Sequence, residues 1–125
     1  MSQYNLYSGA QVAGESIEPD RFVTISGGDV IAADAATDNP IGVNLHAVVS
    51  GEKPSIAGPG SVVVVDIKAG ETISAANTPL TCDTGGKVTA SISDTEYVVA
   101  VSEAAGSGTG GKIRVRVVEP YTLSV

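Results

Sequence analysis

The chain contains no Trp, one Phe, four Tyr, one His, one Cys and one Met in 125 residues. Each shortage closes an avenue. A lone Cys forms no internal disulfide, which fits a reducing compartment or assembly in a cytoplasm. One His and one Cys fall short of a structural zinc site. So few aromatics leave no stacking platforms for sugars, and Val, Ile and Ala must pack the interior instead. Cations are scarce too: 7 Lys and Arg stand against 14 Asp and Glu, for a net charge of −7. An acidic chain repels phosphate backbones, so no nucleic-acid partner is expected. Residues 62–65 form the longest run of large aliphatic side chains, far short of a bilayer span, so no membrane partner is expected either. The opening MSQYNLYSG has neither the basic start nor the apolar stretch of a signal peptide.

What is present suits one small domain. Leu, Ile, Val and Phe contribute about 26% of the residues, above the range where disorder is the default. A core of this size leaves much of the surface wet, and such a domain gains stability by burying more of it against a copy of itself or another protein. Three zones are expected. Residues 1–20 are an extended polar arm with scattered apolar residues, including Tyr4, Leu6, Tyr7, Val12 and Ile17. An arm without periodicity is disordered alone or ordered by packing on a neighbour. Residues 21–118 are a β-rich body. Residues 119–125 are a tail whose proline cannot continue a central strand. Deleting residues 1–19 is expected to leave the body folded and to weaken attachment to partners.

Within the body, strands are expected at residues 21–25, 30–31, 41–49, 61–67, 72–74, 87–90, 97–101 and 112–118, separated by Gly, Pro and Asp turns. Residues 112–118 alternate cleanly, with Ile113, Val115 and Val117 on one face and Lys112, Arg114 and Arg116 on the other. The four valines at 62–65 read as a strand buried on both faces or across an interface. Single helical turns have room at residues 74–76 or 102–105. The spacing of turns predicts an all-β fold, a small single-domain β-barrel or β-sandwich. A strand, small-residue link, glycine loop, strand order occurs twice, over residues 41–65 and 98–118, as a duplicated unit would.

Motifs for chemistry do not hold up. Residues 106–112 match G-x-x-x-x-G-K, but Ile113 stands where a phosphate loop needs Ser or Thr, and a strand follows where a helix should. His46 is the one candidate base; it reads as a strand residue or interface contact, and no G-x-S-x-G elbow accompanies it. Cys82 reads as a small buried hydrophobe. Asp29, Asp34 and Asp38 lack calcium-loop spacing and read as turn formers. The carboxylate pairs Glu15/Glu18 and Glu71/Asp66 carry no pocket signature. No catalytic residue, cofactor or metal is expected.

An ordered set of short motifs remains. Arg21-Phe22-Val23 precedes Gly27-Gly28-Asp29-Val30, and Asp34-Ala35-Ala36 precedes Ile41-Gly42-Val43. Ala47, Gly51-Glu52 and residues 58–65 follow, then Ala69-Gly70-Glu71 with Thr78-Pro79-Leu80. Asp83, Lys87-Val88 and residues 98–105 lead to the closing strand at 114–118. In this order, over roughly residues 20–118, the chain resembles the small capsid decoration (cement) proteins of tailed bacteriophages and prophages. The resemblance implies a β-rich domain, often a homotrimer, on the capsid exterior of the virion, bound to the major capsid protein and stabilising the lattice. Tyr4, Leu6 and Tyr7 would then anchor the arm to the capsid or another subunit. The alternatives are another virion β module (a tail or fibre component), a carbohydrate-binding domain, or a small hydrolase using His46.

Overall fold

The computed structural model of the chain describes residues 11–35, 38–90, 92, 96–107 and 111–122. Two antiparallel sheets dominate it. The first has four strands in the order β2-β1-β3-β4: β1 (Arg21–Ser26), β2 (Asp29–Ala32), β3 (Gly42–Asn44) and β4 (Ile56–Ala57). Gly27 and Gly28 both take positive φ (60° and 88°), which is what the tight turn joining β1 to β2 requires. The second sheet has five strands in the order β5-β11-β9-β7-β8. These are β5 (Val62–Asp66), β7 (Pro79–Cys82), β8 (Val88–Thr89), β9 (Tyr97–Ser102) and β11 (Lys112–Thr122). A two-stranded ladder of β6 (Thr72–Ile73) and β10 (Gly106–Ser107) completes the strands among the described residues.

The two main sheets share one core. Phe22, Val43 and Ala57 stand side by side on the first sheet and pack with Val63, Val65, Leu80, Ile113, Val115 and Val117 of the second. Val and Ile suit this position because their branched side chains are stiff and fit a pleated surface. A single bridge, Ile67 to Val88, ties the two edges of the five-stranded sheet together. The sheet therefore curls strongly without closing into a barrel. Of the two expected architectures, the structure has the layered one.

Residues 11–20 are extended, but they belong to the folded body. Ala13 pairs with Val30 and Ile17 with Val48, and both side chains are buried. They join Val23, Val30, Val48 and Ile56 in a second cluster on the far face of the four-stranded sheet. Deleting residues 1–19 would remove Ala13 and Ile17 from that face, so a cost in stability is expected in addition to weaker attachment.

Other expectations change for physical reasons. β11 runs through Pro120 to Thr122 instead of ending before the tail. Between the pairs Val117–Ala100 and Tyr121–Val98, residues 118–120 stand opposite Val99 alone, and the proline sits in that bulge, where no ladder donor is needed. The run 41–49 yields only the three residues of β3, and His46 lies exposed on a bend. The valines of β5 are buried on one face only: Val63 and Val65 point inward, whereas Val64 is 38% exposed. Residues 74–76 and 102–105 form no helical turn; a 3₁₀ turn occurs at Thr84–Gly86, capped by Asp83. The two halves of the apparent duplication also differ. β9 and β11 pair directly, while β3 and β5 lie in different sheets.

Candidate interaction surface

The most exposed part of the body's sheets is the outer face of β5 and β11. The inward set Ile113, Val115 and Val117 forces Lys112, Arg114 and Arg116 outward. Across the ladder they meet Asp66, Val64 and Val62. A row of cations thus lies beside two valines on an edge strand, in a chain that is otherwise strongly acidic.

The row is not uniform. Lys112 belongs to a charge cluster that fastens residues 18–21 to the second sheet. Its Nζ donates to Asp20 Oδ2 at 2.8 Å and to Asp66 Oδ1 at 2.7 Å. Arg21 Nε donates to the other Asp66 oxygen at 2.7 Å, its NH2 to Glu18 at 2.8 Å, and its NH1 to the Gly85 carbonyl at 3.1 Å. That reach depends on Gly86, which has φ +80° and lies so close to the Phe22 backbone that no Cβ would fit. Burial opposes the charge on Asp66, but the hydrogen bonds and charges of Lys112 and Arg21 outweigh it and hold the carboxyl below its ordinary value. Lys112 is pushed the other way, held charged by Asp20 and Asp66. Arg116 pairs with Glu103 at 3.3 Å. Arg114, between them, is exposed and has no ion-pair partner among the described residues.

Asn44 holds the arm from beneath. Fully buried, it donates through Nδ2 to the carbonyls of Glu18 at 3.0 Å and His46 at 2.6 Å. The single histidine is therefore tied in through its backbone, with its ring outside the fold.

The described surface also carries shallow hollows. One, of about 300 Å³, is lined by Pro40, Ile41, Pro59 and Pro120. Another of about 300 Å³ is polar and includes Asp34, Lys68, Asp83 and Glu96. Cys82 also lines it, but the side chain is buried and burial pushes its thiol pKa up, which keeps it protonated and poorly nucleophilic. Of the three aspartates read as turn formers, Asp38 accepts locally from Asp34 N and Ala35 N, whereas Asp34 accepts from the distant Gly85 N. Among the described residues no group of three or more His, Cys, Asp or Glu is placed to hold a metal, and no helix is long and apolar enough to cross a membrane. In the stretch resembling a phosphate loop, Gly106–Ser107 pairs with Thr72–Ile73, and Lys112, committed to two carboxylates, opens a strand.

The expected anchors Tyr4, Leu6 and Tyr7 lie outside the described residues. The sequence reading did not single out Val62, Val64 and Arg114 as one surface. The alternation of 112–118 was its only local signal; that β5 is the strand beside it depends on long-range pairing.

No protein-family model matches the chain, and no curated protein matches it. Among solved structures, the chain is similar to the head fibre gp8.5 N base of bacteriophage phi29. The match has a TM-score of 0.64 and 16% sequence identity, and covers 100% of both chains. At that identity the likeness establishes a shared fold.

Proposed function

We propose that this chain is a structural protein of a bacteriophage virion, bound to the outside of the capsid and stabilising its lattice through contacts with the major capsid protein. One observation carries the reading: the full-length fold likeness to the base of a phage head fibre, found independently of the decoration-protein motif order in the sequence. The architecture suits the task. A small rigid β body with a bare, cation-bearing sheet face can add contact area to an assembled shell, and binding only the assembled form stabilises it by mass action. The chemistry is adhesion, with no reactive group required.

A second reading is favoured by the same neighbour, namely that the chain is the base of a fibre that projects from the head. Both readings place it on the virion surface, and one experiment separates them. Purified protein is mixed with heads that lack it, sedimented, and imaged by electron microscopy. Saturable co-sedimentation, with compact knobs on the shell and higher resistance of the shell to heat, is the expected result. Particles carrying longer projections would favour the fibre base. No co-sedimentation would overturn both.

A further inference from the structure

The edges of the two sheets are treated differently. The β2 edge is covered by the arm: Val30 N donates to Val12 O at 2.9 Å and Gly14 N to Val30 O at 2.8 Å, while Glu15 accepts from Ala32 N. The β5 edge is open before Asp66; beyond it, Ile67 bridges Val88. In an antiparallel ladder, alternate residues point their N–H and C=O to the same side. Val117 N donates to Ser61 O at 2.8 Å and Ile67 N to Gly111 O at 3.3 Å, so Val63 and Val65, in the same phase, turn their backbone groups toward β11. Asp66 N points away, donating to Asp20 O at 3.1 Å. Val62 and Val64 share the phase of Asp66. Their N–H and C=O groups face outward, and no backbone group among the described residues meets them.

The open stretch has defined ends. On one side Asp20 crosses at Asp66. On the other, β5 is entered through Gly58-Pro59-Gly60, with Gly60 at φ +93°. From this we propose that β5 pairs edge to edge with β5 of a second copy, antiparallel, about a two-fold axis at Val63. Val62 of each copy then faces Val64 of the other, and each such pair exchanges two hydrogen bonds. The same register puts Gly60 of one copy opposite Asp66 of the other. There the crossing at Asp20 needs room, and the glycine turn carries the second chain away. The edge is thus complementary to itself in polarity, phase and length.

The side chains agree. Val62 and Val64 of both copies form one apolar strip on the outer face, and four successive valines carry no charge or proline to discourage pairing. The two β11 strands would stand three strand spacings apart, about 14 Å. That exceeds the screening length of about 8 Å at physiological salt, so the two cation rows do not oppose the contact. The net charge of −7 on each copy does oppose it at low salt, so association tightens as salt rises. This contact is independent of capsid binding.

The test uses the whole chain. Sedimentation equilibrium over a wide concentration range should show the mass rising from one protomer to two, and the Val62 and Val64 amides should gain protection from hydrogen exchange in step. Val64→Pro removes an N–H that β11 does not use, and Val64→Lys puts a charge in the strip. Each should weaken association at least tenfold with an unchanged circular dichroism spectrum, and Val64→Lys carries the test if the proline variant folds poorly. A constant one-protomer mass would overturn the proposal. So would a dimer or trimer whose Val62 and Val64 amides exchange at the monomer rate, or a folded Val64→Lys variant that associates as the parent does.

Discussion

The four-stranded sheet is covered on both faces, the five-stranded sheet along β5 and β11 on only one. On the first, Phe22, Val43 and Ala57 fill the shared core while Val23, Val30 and Ile56 lie beneath Ala13, Ile17 and Val48. On the second, the face opposite the core carries Lys112, Arg114, Arg116 and Val64 into solvent. The difference shows how a chain with one Phe and no Trp builds a stable body: it adds a third, thin layer from its own N-terminal segment. It also shows where adhesion is left available, because the bare face and the bare edge meet at the same strand.

The comparison is broken most severely from the inside. Phe22→Ala should cost about 3–5 kcal/mol, since the ring is fully buried between the sheets and its cavity cannot collapse. Ile17→Ala, in the thin layer, should cost about 2–3 kcal/mol, at the low end for such a truncation, because an extended segment can settle more easily than a sheet. Urea denaturation measures both. A cost for Ile17→Ala below about 0.5 kcal/mol, the size of an ordinary surface change, would show that residues 11–20 lie on the body without supporting it.

Acid should sharpen the comparison next, by loosening the charges that fasten the layer. Asp66 has a folded pKa below its ordinary 3.8 because the hydrogen bonds from Lys112 and Arg21 outweigh its burial. A group with a depressed folded pKa contributes fully above its unfolded value, and the contribution is lost as pH falls through the folded value. Asp83, lowered by the Thr84 amide and then by Lys68, has the same sign. Lys112 has the opposite sense: with its pKa raised above 10.5, its contribution is lost only as pH rises through the folded value. Stability should therefore be level between about pH 5 and about pH 9 as far as these groups are concerned, and fall at both ends. In Asp66→Asn the acid limb should be shallower than in the parent. Parallel acid limbs in thermal denaturation would show that the cluster contributes nothing specific.

The sequence made some of this legible, and physics explains which parts. β11 could be read because one face is buried and the other wet, which is the condition under which a period of two appears. The β1–β2 hairpin was marked by Gly27-Gly28. Of the two readings of the four valines of β5, burial on both faces does not hold, because a run of identical side chains has no period and burial on one face and on two look alike. β4 and β7 went unseen: one has two residues, and the other opens on Pro79, which reads as a breaker although a proline is tolerated at a strand's first position. The charge cluster was hidden by distance, since Arg21 and Asp66 are 45 residues apart and Asp66 and Lys112 are 46. The packing of residues 11–20 on the body was hidden for a related reason. Ala13 and Ile17 bury against strands that supply all the periodicity, so their own segment needs none.

The smallest expected effect separates the two kinds of cation within one row. Lys112 and Arg114 are neighbours on the same face of β11, both exposed, and composition treats them alike. Lys112→Ala deprives Asp66 of one of its two cations and releases Asp20. Because the lysine is about half exposed, solvent screens the pair, and the loss should be about 0.5–1 kcal/mol. Arg114→Ala should change stability by no more than about 0.5 kcal/mol in either direction, since its guanidinium meets no described partner. The same variant should weaken attachment to heads if this face is the one applied to the shell. An Arg114→Ala variant destabilised as much as Lys112→Ala would mean that Arg114 is held by the fold, and the face would then be no barer than the one the arm covers.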